Sequence, residues 1–325
     1  MAHQIWQDFP TVAVKLDELK NYMFSLVSLT NKPIQTKILE LIGAGGKLLR
    51  PGYFYLFSSL GPKQDLVKLQ AGAAALELLH VATLIHDDVI DESPLRRNIT
   101  TIHAMYGQKN AIYAGDFLFT LYFKQVIKSA YVMDDVSANA NIMHAILDGE
   151  LNQMQLNYNQ KTTVTQYLAE IEGKTAKLFE LACSQGARLS GCDQVVIDHA
   201  QQIGKKIGLA YQIQDDILDY TGQKKHTLKP TLEDVRQGVY SLPLILALET
   251  NRAALKSLLN KKEKMTNDEV KQVQQIVVNV GGVKRAFALA DQYTSESLEL
   301  IKELPDVPAR EALIELTQNL LHRQQ

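Results

Sequence analysis

Long apolar segments with helical periodicity limit the fold of this chain more than any other feature. The segment from Asp65 to Asp91, DLVKLQAGAAALELLHVATLIHDDVID, is rich in Ala and Leu, contains no proline and has apolar residues at helical spacing. Alternation of β-branched residues with a period of two is scarce along the whole chain. The pattern therefore predicts an all-α fold. Segments of the same character are Asn110–Ser129, Val136–Leu156, Val164–Leu189, Val195–Tyr220, Pro243–Leu259 and Asp268–Leu304.

The connections between these segments carry no sign of a domain boundary. The 325 residues contain no Ser/Gly/Pro-rich linker, no block of like charges and no fixed-period repeat. We therefore expect one large helical domain over residues 1–325, although length alone favours about two domains. The expected connecting segments are Gly43–Pro51, Ser93–Thr100, Gln160–Thr163, Gly191–Asp193 and Thr221–Ser241.

Charge and composition exclude several classes of protein. The 34 basic and 36 acidic residues give a net charge of −2, which provides no general attraction to nucleic acid or to anionic membranes. The first residues lack the basic and apolar regions of a signal peptide, and no stretch reaches about 18 apolar residues. The two cysteines, Cys183 and Cys192, lie outside any CxxC pattern. We expect a cytoplasmic protein with no nucleic-acid partner and no integral membrane segment.

Two acidic motifs of the form DDxxD are the strongest chemical signal. One is Asp87-Asp88-Val89-Ile90-Asp91, and the other is Asp215-Asp216-Ile217-Leu218-Asp219. Two such motifs would occur by chance in roughly one chain in a thousand of this length. Each motif ends a hydrophobic helical segment, so the two motifs indicate a shared chemical task. The alternative is a pair of solvated helix ends that happen to be acidic.

Helical geometry explains the spacing within each motif. Asp87 and Asp91 are four residues apart and therefore share a helix face, as do Asp215 and Asp219. Like charges at this separation destabilise a helix, and the helix dipole disfavours anions at a C-terminal end. A bound cation would remove both penalties. Carboxylate oxygens without neighbouring cysteines favour Mg²⁺, which is usually shared between carboxylates and substrate phosphates. A di-iron site would instead need Glu-x-x-His pairs.

Basic residues close to these motifs could bind phosphate groups directly. Lys47 and Arg50 follow Gly45-Gly46, in a spacing that is not that of a P-loop, and Arg96-Arg97 follow the first acidic motif. Lys174-Thr175 and Lys229 could reach a second anion. For each basic residue taken alone, a solvated surface position remains open.

Two further polar side chains share a helix face with the acidic motifs. His80 lies two helical turns before Asp87, and Gln212 lies one turn before Asp215 and Asp216. A core histidine and an ordinary packing amide remain the alternatives for these two positions.

Several motifs, taken in order, resemble those of the trans-prenyltransferases, or polyprenyl diphosphate synthases, and in particular the heptaprenyl and geranylgeranyl diphosphate synthases. They run from Gly45 to about Leu248: GGKLLRP, ELLHVATLIHDDVIDESPLRR, YAGDFL, GKTAKLF, YQIQDDILDY and GVYSLPLILAL. The resemblance implies an isoprenoid-synthase helical bundle, usually a homodimer, with a deep central cavity and the two acidic motifs facing each other across its mouth.

The resemblance also implies a role for each matching residue. Asp87, Asp91 and Asp215 would bind Mg²⁺, supported by Asp88, Asp216 and Asp219, and Lys174 would join these aspartates in the catalytic set. Isopentenyl diphosphate would be bound by Lys47, Arg50, His80 and Arg97. The allylic diphosphate would be bound by Arg96, Lys174, Thr175, Gln212 and Lys229. In the implied reaction the allylic C–O bond ionises, isopentenyl diphosphate attacks the cation, and a proton is lost, which gives an all-trans product.

The chain departs from the family pattern at two positions. Leu228-Lys229 stands where family members commonly have Gly-Lys, and Val239 replaces a second lysine. Lys229 keeps the charge, whereas Val239 removes one expected diphosphate contact. We expect an altered affinity for diphosphate and an intact reaction.

The residues upstream of the first motif bear on product length. In the family, bulky aromatics at these positions stop elongation early, whereas here Ala82 and Thr83 are small and Leu79 lies two turns before Asp87. We therefore expect a product of twenty carbons or longer, and Phe117, Phe119 or Tyr122 is the candidate for the floor of the cavity.

Two other functions are compatible with parts of the pattern. A class I terpene cyclase ionises a similar diphosphate, but its second motif usually reads as an Asn/Ser/Glu triad. A partner subunit of a heteromeric long-chain synthase typically loses aspartates, and both motifs are complete here. A heteromer with a second subunit remains open alongside the homodimer.

Overall fold

The computed structural model describes residues 3–221 and 232–321, and it confirms the all-α prediction. The α-helices are α1 (Pro10–Leu26), α2 (Lys32–Gly43), α3 (Leu49–Ser58), α4 (Leu66–Ile90), α5 (Ile102–Tyr106), α6 (Gln108–Ser129), α7 (Met133–Leu156), α8 (Val164–Ile171), α9 (Lys177–Leu189), α10 (Gln194–Thr221), α11 (Glu233–Arg236), α12 (Leu242–Leu259), α13 (Asn267–Asn279), α14 (Gly282–Lys302) and α15 (Pro308–Leu321). Short 3₁₀ helices span Gln4–Trp6 and Lys262–Lys264, and a π-helical turn, Glu172–Ala176, joins α8 to α9.

Helix α4 reproduces the predicted segment at both ends. Asp65 is the N-cap, and its carboxylate accepts hydrogen bonds from the backbone N–H groups of Val67 and Lys68 at 3.1 Å. Asp91 is the C-cap. Buried residues occur on every face of the helix, as expected for a core helix. Among the described helices, α4 alone has the length and apolar composition of a membrane-crossing segment, and 72% of its most apolar window is buried.

The structure differs from the predicted segments where single residues interrupt the helical backbone. The predicted segment Asp268–Leu304 is two helices, α13 and α14, because Gly281 adopts a left-handed conformation with φ +79°. The predicted connection Gly43–Pro51 ends earlier, since α3 begins at Leu49. The connection Ser93–Thr100 contains a short antiparallel hairpin of β1 (Leu95–Arg96) and β2 (Ile99–Thr100), with Arg96 opposite Ile99.

Contacts along the chain group into two compact units, each built from separated segments. The first unit comprises Met1–Ala140, Leu181–Gln201 and Leu304–Leu313. It contains α1 to α6, and in it α4 packs against α3 and α6. Tyr53 and Phe54 of α3 and Leu118 of α6 are fully buried there. The first acidic motif lies in this unit.

The second unit comprises Asn141–Glu180, Gln202–Glu303 and Ile314–Gln325. In it α12 packs against α8, α13 and α14. An apolar core runs through these helices and the C-terminal half of α10, with Ile213, Ile217, Leu244 and Val273 almost completely buried. The second acidic motif lies in this unit. A single domain over residues 1–325 stays a prediction.

Candidate functional site

The first acidic motif occupies the last turn of α4 in the first unit. Asp88 is buried, with 3% of its surface exposed, whereas Asp87 is half-buried and Asp91 is exposed. The backbone N–H of Asp91 donates to the carbonyl of Asp87 at 2.8 Å, so the helix is intact through the motif. Asp87 and Asp91 therefore share one helix face, as the spacing predicts.

Arg96 turns back onto this motif. Its Nε and Nη2 atoms lie 2.8 Å and 2.7 Å from Oδ1 of Asp88. The short β1–β2 hairpin allows this return, and the backbone N–H of Ser93 donates to the carbonyl of Asp88 at 3.0 Å. Charge-assisted contacts of this length are strong. Arg96, expected at the allylic diphosphate, is thus paired with the second aspartate of the motif.

Three arginines, which we call the arginine cluster (Arg50, Arg96 and Arg97), lie close to His80. Burial lowers the pKa of His80 well below its usual value, and the positive charges of Arg50, Arg97 and Arg96 lower it further. His80 is therefore neutral at neutral pH, and its ring can donate or accept a hydrogen bond without carrying a charge. The structure places Arg50, His80 and Arg97 in one region, as the sequence predicts.

Glu77 is a buried acid beside the same arginines, and the sequence analysis missed it. Only 5% of Glu77 is exposed, and burial raises its pKa, while the positive charges of Arg97 and Arg50 oppose the rise. Glu77 lies three residues before His80 on α4, so the same-face argument used for His80 could have found it.

The positions expected to influence product length lie one to two turns before the motif. Leu79 and Ala82 are buried, and Thr83 is half-buried with its Oγ1 donating to the carbonyl of His80 at 2.9 Å. The ring of His86 stacks on Phe119 of α6 with centroids 5.3 Å apart, and its Nε2 lies 3.3 Å from Asp116. Of the expected floor residues, Phe117 and Phe119 are half-buried and Tyr122 is fully buried.

The second acidic motif ends α10 in the second unit, where its three aspartates are half-buried. Both oxygens of Asp216 accept hydrogen bonds. The Tyr167 hydroxyl donates to Oδ2 at 2.6 Å, and Nε2 of Gln212 donates to Oδ1 at 2.8 Å. Burial raises the pKa of Asp216 to about 7, against the effect of these two hydrogen bonds and with a smaller contribution from the charge of Asp215.

Tyr167 is the second residue that the sequence analysis missed. It lies on α8, 49 positions before Asp216, and no local pattern connects the two residues. Its side chain is buried, and its pKa is raised well above the usual value by burial and by the charge of Asp216. Tyr167 therefore stays protonated and acts as a donor.

The π-helical turn before α9 carries two of the expected substrate-binding residues. Thr175 is buried and its Oγ1 donates to Oε1 of Gln212 at 2.7 Å, which extends the network of Asp216. The Nζ of Lys174 contacts Glu150 at 3.1 Å and Gln153 at 3.0 Å, both on α7. Such π-turns occur often at functional sites.

The chain departs from the family pattern at two positions, of which only Val239 lies within the described residues. Lys229 lies outside the described residues. Val239 is half-buried, and its backbone N–H donates to the carbonyl of Asp234 at 2.9 Å.

Asp87 and Asp91 share one helix face, and this pair fits the one or two carboxylates by which Mg²⁺ is usually bound. In the described part of the chain, no group of three or more His, Cys, Asp or Glu side chains is arranged to hold a metal ion. Mg²⁺ is usually bound by one or two carboxylates together with substrate phosphates and waters. The second aspartate of each motif, Asp88 or Asp216, is held by protein side chains.

Comparison with known proteins identifies relatives across almost the whole chain. Residues 31–280 match the family model of the polyprenyl synthetases. The crystal structure of geranylgeranyl pyrophosphate synthase from Lactobacillus brevis ATCC 367 is similar, with a TM-score of 0.94 and 53% identity over 98% of this chain and 99% of that chain. The heptaprenyl diphosphate synthase component 2 of Geobacillus stearothermophilus is 32% identical over 87% of this chain and 88% of its own length.

A third relative was solved with ligands. It is the polyprenyl synthase from Caulobacter crescentus CB15, complexed with calcium and isoprenyl diphosphate. It has a TM-score of 0.91 and 27% identity over 100% of this chain and 99% of that chain.

Proposed function

Because this chain belongs to the polyprenyl synthetase family and is a polyprenyl diphosphate synthase, we propose that it condenses isopentenyl diphosphate with an allylic diphosphate to give an all-trans product of twenty carbons or longer. The observation that carries this proposal is the pair between Asp88 and Arg96, which joins the first acidic motif to the arginine cluster. Carboxylates for a metal ion and cations for a diphosphate thus occur side by side.

We assign the isopentenyl diphosphate to the cations of the first unit. Lys47, Arg50 and Arg97 supply positive charge, and neutral His80 supplies a hydrogen bond. A guanidinium group can donate two parallel hydrogen bonds to phosphate oxygens, which fixes the orientation of the diphosphate and strengthens its binding.

We assign the allylic diphosphate to Lys174, Thr175, Gln212 and Lys229. Thr175 is hydrogen-bonded to Gln212, and Gln212 is hydrogen-bonded to Asp216. The orientation of the Gln212 side-chain amide therefore depends on the second acidic motif. Arg96, which the resemblance places at the same diphosphate, contributes by holding Asp88 of the first acidic motif in place. Asp219 supports the second acidic motif from the next helical turn.

The family uses a divalent metal ion, and we propose that here it is Mg²⁺, with Asp87 and Asp91 as its ligands in the first unit and Asp215 as a ligand in the second unit. When bound, Mg²⁺ neutralises the charge that develops on a departing diphosphate. The side chains of the protein contribute orientation and further positive charge. We propose that the proton lost at the end passes to the released diphosphate.

Small buried side chains support a long product. Ala82 is fully buried and Thr83 is half-buried, so neither adds bulk just before the first motif. We propose that the growing chain extends past these positions and past Leu79, within the deep cavity that the family resemblance implies.

We propose that the protein is cytoplasmic and forms a homodimer. Exposed apolar side chains on α6 support self-association, with Tyr113 73% and Ile127 67% exposed. A heteromer is the second candidate, because the relative from Geobacillus stearothermophilus is named as one component of a synthase.

The deciding experiment is a condensation assay on the purified chain alone. We expect labelled isopentenyl diphosphate to enter a longer prenyl diphosphate when an allylic primer and Mg²⁺ are present, and EDTA to abolish the incorporation. Incorporation only after a second protein is added would support the heteromer. Formation of a cyclic hydrocarbon without isopentenyl diphosphate would identify a terpene cyclase and contradict the proposal.

A further inference from the structure

Trp6, the single tryptophan of the chain, lies far from both acidic motifs in the sequence but packs against the Lys47–Arg50 segment. It ends the 3₁₀ helix Gln4–Trp6 and has no exposed surface. It also precedes residue 31, where the match to the family model begins.

The indole contacts the segment at two points. Its Nε1 donates to the backbone carbonyl of Lys47 at 2.5 Å. Its ring covers the first turns of α3 so closely that a Cβ at Gly52 would lie 1.9 Å from Cη2 of Trp6. Phe9 meets the ring edge-on, with centroids 6.1 Å apart. Trp6 is therefore held in a fixed position against both the connection before α3 and the helix itself.

The backbone at this point needs such support. Leu48 adopts a left-handed conformation, with φ 47° and ψ 40°, which a bulky residue holds only where its surroundings impose it. One cation is bonded to the same connection, and a second lies against it. The Nζ of Lys20 donates to the carbonyl of Gly43 at 2.8 Å, and a Cβ at Gly46 would lie 2.7 Å from Nη2 of Arg97. The position of Lys47 and Arg50 thus depends on residues outside their own segment.

We infer that Trp6 is a positioning residue, which holds the Lys47–Arg50 segment in the conformation that binds diphosphate and does not itself touch the substrate. This inference deepens the proposed function and rests on the assignment of isopentenyl diphosphate to Lys47 and Arg50. Trp6 removes the freedom that the connection before α3 would otherwise have, so diphosphate meets cations already in place.

The kinetic test is the Trp6→Phe variant, which keeps an aromatic ring and loses the N–H donor. We expect the KM for isopentenyl diphosphate to rise by about two- to tenfold, the effect of one hydrogen bond, while the KM for the allylic primer stays within about twofold. Phe57→Leu is the matched control, since Phe57 is equally buried at the far end of α3. It should lower the Tm and leave both KM values unchanged. A Trp6→Phe variant with unchanged KM values, or with both raised alike, overturns the inference.

A binding measurement makes the result independent of turnover. Inorganic diphosphate is titrated by calorimetry in EDTA, so that only direct contacts with side chains count. We expect weaker binding in Trp6→Phe than in wild type or Phe57→Leu, and the weakest binding in Lys47→Gln. Equal dissociation constants in wild type and Trp6→Phe would refute the role of Trp6. A wild-type chain that binds diphosphate but condenses no isopentenyl diphosphate would refute the proposed function and leave this comparison intact.

Discussion

The pair between Arg96 and Asp88 allows a quantitative prediction about the first acidic motif. Both guanidinium contacts go to one oxygen, at 2.8 Å and 2.7 Å, and the side chains are 26% and 4% exposed. Removing one partner of a buried ion pair costs about 3–5 kcal/mol, because the other charge stays buried. Since Arg96 is partly exposed, we expect Arg96→Ala to lower the free energy of unfolding by about 3 kcal/mol, the low end of that range.

A double-mutant cycle isolates the pair from the packing of the two side chains. Asp88→Asn keeps the volume and an acceptor oxygen but removes the charge, so Arg96→Ala in that background should cost only about 1 kcal/mol, as for an ordinary hydrogen bond. The expected coupling energy is therefore about 2 kcal/mol. The measurement is equilibrium urea unfolding, followed by circular dichroism and by the fluorescence of Trp6.

An exposed ion pair provides the control for this cycle. Lys302 and Glu299 lie one turn apart on α14, 2.6 Å from each other, and their side chains are 58% and 70% exposed. Solvent and salt screen such a pair, so a cycle of Lys302→Ala and Glu299→Gln should show no coupling above the additivity error. A coupling energy for Arg96 and Asp88 below about 0.5 kcal/mol would refute the argument that this pair orders the motif.

Two further predictions test the site, and a third tests Glu170, a partly buried acid of α8. Asp87→Ala or Asp215→Ala should lower turnover by several orders of magnitude and leave the circular dichroism unchanged. Turnover of the exposed control Asp291→Ala should stay within about twofold of wild type. Wild-type turnover in Asp87→Ala or Asp215→Ala would contradict the metal role of that aspartate. Thr83→Phe should shorten the product, as measured by chromatography, and an unchanged product distribution counts against the assigned position. Burial raises the pKa of Glu170 to about 7 from 4.5, so the folded state holds this proton more tightly than the unfolded state. The free energy of unfolding should therefore fall as the pH rises from 4.5 to about 7, and Glu170→Gln should flatten that slope in urea titrations at each pH; equal slopes would exclude this cause.

The helices were predictable where their signals are local. In α4 the N-cap Asp65, the apolar periodicity and the closing Asp91 are each local signals, because each depends on residues within about one helical turn of it. The predicted segment Asp268–Leu304 was wrong as a single element, although Gly281 carried the signal for the break. The hairpin of β1 and β2 is too short to show any alternation.

The sequence alone determined the all-α class and the family to which the chain belongs. It also determined that, within each acidic motif, the first and last aspartates share a helix face. These features depend on neighbours a few residues apart, whose geometry a regular helix already specifies. Only the tertiary structure decided what holds each motif and the cation-bearing segment in place. Tyr167 reaches Asp216 from 49 residues away, and Trp6 reaches Lys47 from 41 residues away. Such contacts depend on how the helices pack. The periodicity of the sequence does not indicate which distant side chain a residue contacts.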